Sequence, residues 1–103
     1  MPRSREQQRL RWFIAGWSRT HRAPTVAEVA EAAVEQLADD SAFLRGFMPA
    51  AVTCGPQERR RLLRAPMEAA ILAEMRSLQT NRDARYELRG DRWVRKAEAP
   101  ESD

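Results

Sequence analysis

TVAEVAEAAVEQL, residues 25–37, and YELRGDRWVRK, residues 86–96, decide the fold between them. In the first, Thr25 stands three residues before Glu28, the spacing at which each side chain caps the other's backbone N–H at a helix start. Pro24 blocks continuation from upstream, and Val26, Val29, Ala30, Ala33 and Leu37 then recur at helical spacing, with Glu28, Glu31 and Glu35 on the opposite face. In the second, Gly90-Asp91 suits a two-residue type II′ turn that sets Leu88 opposite Trp93 and Tyr86 opposite Arg95. That register gives one apolar face, Tyr86, Leu88 and Trp93. The other carries Arg85, Arg89, Arg92 and Lys96 beside Glu87 and Val94.

Working outward, Ser4 and Gln7 form another capping box, and Leu10, Phe13, Ile14 and Trp17 follow on one stripe, predicting a helix over residues 5–20. Trp12 lies off that stripe and needs a cover, which we expect from the segment between the outer elements. Asp39, Asp40 and Ser41 end the second helix and cap a short one over residues 42–48. Pro49, Gly55 and Pro56 mark loops, with Pro56 at the first position of a helix through Arg59 to Leu63. Pro66 is expected to end or kink that helix. A further helix follows on Met67, Ala70, Ile71, Met75 and Leu78. The domain is predicted to run over residues 1–97, mostly α with one β-hairpin, with an inserted helical segment at about 39–65 and a disordered acidic tail at 98–103.

Charge is the second signal. The basic residues are 17 arginines and Lys96, against 15 acids, for a net charge of +3. Arginine forks match phosphate and guanine edges, as lysine does not. The layout is polar: residues 1–24 are strongly basic, the second helix acidic, and Arg59 to Arg64 and the hairpin basic again. Such patches suit a polyanion or an acidic protein partner.

Cys54 and His21 are single, so an intrachain disulfide, a thiolate zinc site and a histidine-based triad all lack their parts. The sequence assigns no catalytic residue, metal or cofactor, and does not read as an enzyme. With no apolar run near about 18 residues and no signal-peptide pattern, it reads as cytoplasmic with no membrane partner.

Residues 5–33, REQQRLRWFIAGWSRTHRAPTVAEVAEAA, resemble the opening of the DNA-binding domain of the LexA repressor family. The likeness rests on Gln7, Phe13, Ile14, Pro24, Thr25, Val26, Glu28, Val29, Ala30, Glu31 and Ala32. It resumes where residues 67–78 precede a hairpin, as a recognition helix precedes a wing. It implies a winged helix-turn-helix with an insertion, and hence a small DNA-binding regulator of phage or mobile-element type. Duplex DNA would meet the N-terminus of the second helix at Thr25, Arg60 and Arg64 ahead of the last helix, and Arg85, Arg89, Arg92 and Lys96 on the wing. The front of the last helix, Met67, Glu68, Ala69 and Ala70, lacks base-reading side chains. A second reading therefore stands: an adaptor or inhibitor that docks on a protein through Trp12 and Met67. A homodimer is expected on either reading.

Overall fold

The computed structural model describes residues 4–96, so the expected tail at 98–103 lies outside the described residues. Helix α1 runs Arg5–Thr20 and opens on the reciprocal Ser4–Gln7 box, at 3.0 and 3.1 Å. It buries Leu10 and Ile14, while Phe13 and Trp17 pack half-buried against the core. The chain turns at Ala23, whose φ of 47° is left-handed, and enters α2, Val26–Leu37, through the Thr25–Glu28 box. The entire apolar stripe of α2 is buried, Val34 included.

Helix α3 spans Ser41–Phe47, one residue earlier than the spacing suggests, because Asp40 is the cap and accepts the Phe43 N–H at 3.0 Å. That bond, and the nearby Arg9 guanidinium at 2.8 Å, hold the Asp40 carboxyl below its usual range, against a smaller opposing effect of burial. A 3₁₀ turn, Pro49–Thr53, leads to α4.

Helix α4 corrects the expectation at Pro66. It is unbroken from Pro56 to Gln79. Leu63, Met67, Ile71 and Met75 form one fully buried stripe on either side of the proline. Four such side chains contribute roughly 6–12 kcal/mol on burial. That outweighs the cost of about 3 kcal/mol for an interior proline. Residues 39–65 are thus no separate insertion: only α3 and the 3₁₀ turn stand between α2 and α4.

Strands β1, Tyr86–Arg89, and β2, Arg92–Arg95, pair antiparallel in the expected register, including Leu88 opposite Trp93 and Tyr86 opposite Arg95. Gly90 takes φ +64° at the first central position of the turn, and Asp91 does not. The hairpin is seated by backbone as well as side chains. Thr25 bridges to Arg92, the Val26 N–H donates to the Asp91 carbonyl at 2.7 Å, and the Trp93 N–H to the Pro24 carbonyl at 2.8 Å. Trp93 is 3% exposed, donates its indole N–H to Ser18 Oγ at 2.9 Å and stacks on Tyr86. Ser18 Oγ in turn donates to the Ile14 carbonyl at 2.6 Å, so the buried polar atoms are satisfied in a chain.

Trp12 contradicts the expected intrachain cover, since it is 64% exposed. The middle segment turns its aromatics inward instead: Phe43 is buried and stacks on Phe47, and Phe47, Met48 and Leu72 pack against the core.

Candidate nucleic-acid interface

The N-terminus of α2 is closed. Thr25 Oγ1 accepts the Glu28 N–H, the Glu28 carboxylate accepts the Thr25 N–H, and the Val26 N–H is held by the turn carbonyl of Asp91. The first-turn donors proposed for a phosphate are therefore largely occupied, and a carboxylate sits beside them. The capping box that starts the helix competes with its use as an anion site.

Arg60 and Arg64 do not form a free basic patch. Arg60 meets Glu35 at 3.2 Å and Asp39 at 3.8 Å, and Arg64 meets Glu31 at 3.3 Å. The acidic back of α2 faces this turn of α4 and cancels its field. Arg61 pairs with Glu58 at 2.6 Å on its own helix. Arg59 is structural: its guanidinium donates to the carbonyls of Ala38, Ala51, Val52 and Cys54 at 2.8–3.2 Å, tying the end of α2 and the 3₁₀ turn to α4. Met67 is likewise corrected as an interface residue. It is fully buried in the core and presents no surface to a partner.

The hairpin keeps its charge outward. Arg89 is 63% exposed at the side chain and touches Glu87 at 2.9 Å. Arg92 is exposed and donates to the Ala23 carbonyl at 2.7 Å, and Lys96 reaches the Gln79 carbonyl at 3.3 Å. These carbonyl contacts orient the cations without cancelling them. Arg85 is exposed and has no side-chain partner among the described residues.

Beside the hairpin lies a feature that linear reading misses. The C-terminal half of α1, the loop at 80–85 and the inner edge of the hairpin enclose a cleft of about 730 Å³. Arg11, Arg19, Arg82, Arg85 and Arg95 line it, against Asp83 alone among acids. Arg11 is committed, bridging α1 to the buried Glu74 at 2.8 Å and to Ser77 at 2.7 Å. Arg19 and Arg82 are exposed, with no carboxylate partner among the described residues. The available signal is the density of arginine in residues 82–95, but its convergence with Arg19 requires the tertiary fold.

Among the described residues no cluster of three His, Cys, Asp or Glu side chains is arranged to hold a metal, and no helix is long and apolar enough to cross a membrane. Cys54 donates to the Ala50 carbonyl at 3.4 Å, with no base beside it. His21, expected as a solvated helix-end residue, is exposed but stacks on Trp17 at a ring separation of 3.6 Å. No protein-family model matches this chain, and comparison with curated proteins and with solved structures gives no match either.

Proposed function

We propose that this chain is a winged-helix DNA-binding regulator that grips the duplex backbone from its hairpin side. One observation carries the reading: the arginines of α4 are neutralised by α2, whereas those of the hairpin and of the adjoining cleft remain directed to solvent. The Thr25–Arg92 bridge supports the architecture, because it sets the linker before α2 beside β2 and leaves the hairpin projecting as a wing. Arg89 and Arg92 then reach phosphates, with Arg85 and Lys96 at the wing's base. The outward residues of α4, including Ala65, Glu68, Ala69 and Ala73, offer no bidentate base reader. Binding is therefore electrostatic and only modestly selective among sequences. Electrophoretic mobility of a random duplex at two salt concentrations tests this: the complex forms at low salt and weakens steeply at high salt.

A protein-docking adaptor is the second reading, favoured by Trp12. Its indole is the one large apolar side chain exposed among the described residues, in a groove with Arg5, Gln8 and Arg9. On this reading duplex DNA stays unshifted, and replacing Trp12 abolishes capture of the partner or of a second copy.

A further inference from the structure

The arginine-lined cleft is more than a basic patch, because its floor is apolar and aromatic. Ile14, Leu78 and the half-exposed ring of Tyr86 form that floor, with Trp93 buried beneath and its indole N–H fixed on Ser18. Arg19, Arg82 and Arg85 stand on the rim. A volume of about 730 Å³ falls in the range of small-ligand sites, which combine an apolar lining with a few convergent polar groups. A bare phosphate would leave the floor unused, and a neutral aromatic would leave three cations unanswered. The ligand that satisfies both has a planar ring and a phosphate a few bonds away.

We propose that this cleft binds a nucleoside monophosphate, with the base laid on Tyr86 and the phosphate held by Arg19, Arg82 and Arg85. Exposed guanidinium groups bind phosphate by charge-assisted, bidentate hydrogen bonds, and the Tyr86 face supplies stacking. The site is distinct from the duplex-binding face, which uses Arg89 and Arg92 on the outer side of the hairpin. Either proposal therefore stands or falls without the other.

The test is a titration of the intact protein with adenosine monophosphate, followed through the indole N–H resonances of the three tryptophans. The Trp93 resonance shifts and saturates in the micromolar to millimolar range, while that of Trp12, in a separate groove, stays in place. Inorganic phosphate alone does not reproduce the shift. Replacing Arg82 and Arg85 together by Ala weakens binding about tenfold or more, the loss expected for a charged hydrogen bond. R89A/R92A leaves it unchanged. A Trp93 signal that ignores the nucleotide, an equal response to phosphate, or equal weakening by both double variants would overturn the proposal.

Discussion

Replacing Arg59 by Met keeps the aliphatic stem and deletes the guanidinium that four main-chain carbonyls share. Those carbonyls belong to Ala38 at the end of α2, to Ala51 and Val52 in the 3₁₀ turn, and to Cys54, all positions with no full complement of helical donors. Each hydrogen bond to a charged group contributes about 1.5–3 kcal/mol net. The Arg59 side chain is 18% exposed, so water regains part of what the substitution removes. Taking the lower figure for two carbonyls that stay dry gives a loss of about 3 kcal/mol. In a domain of this size that lowers Tm by roughly 12–24 °C. Urea unfolding should show the midpoint falling with m unchanged. The comparison is R60A, which removes a solvent-exposed pair with Glu35 and should cost no more than about 1 kcal/mol. An R59M loss no larger than that of R60A would refute the assignment of Arg59 as a clamp.

Trp93→Phe removes the indole donor to Ser18 and should cost about 1–2 kcal/mol in thermal unfolding, with the hairpin retained. A neutral outcome would mean that Ser18 does not anchor the hairpin. Gly90→Ala meets open space but must hold a left-handed φ, so the expected loss is about 1 kcal/mol and comes from backbone strain alone. Asp40→Asn retains a good N-cap but loses the charge facing Arg9. Because the folded-state pKa of Asp40 is depressed, its ionic contribution is present above the ordinary value of 3.8 and disappears as pH falls through the folded value. The stability gap between wild type and D40N should therefore be constant near neutrality and close on the acid limb. A gap that persists at the lowest pH would contradict this origin.

Local chemistry was readable in the sequence where the determinants are neighbours. The Ser4 and Thr25 boxes fixed two helix starts, and Gly90 with the alternation around it fixed the hairpin register. Pro66 misled because a local rule was set against tertiary packing, which the stripe from Leu63 to Met75 wins. Arg60 and Arg64 misled for a related reason. Their partners on α2 are 25 and 33 residues away, and nothing in the basic run itself reveals that Glu35 and Glu31 face it. Arg59 and the cleft were illegible for the same cause, each being assembled from segments that meet only in the folded chain. Met67 was half legible: its helical stripe was evident, but the burial of that stripe follows from α4 crossing α2 and α1 together.

The central claim, that the hairpin holds duplex DNA by its phosphates, is tested most directly by fluorescence anisotropy across a salt series. Log affinity for a short duplex should fall linearly with log salt. R89A/R92A should flatten the slope by about 0.9 for each phosphate that is no longer neutralised, about 1.8 in all. Thermal stability should barely change, since both side chains lie on the solvent face. Wild-type protein that leaves the duplex unbound at low salt and micromolar concentration, or a slope that both substitutions leave untouched, would contradict the claim.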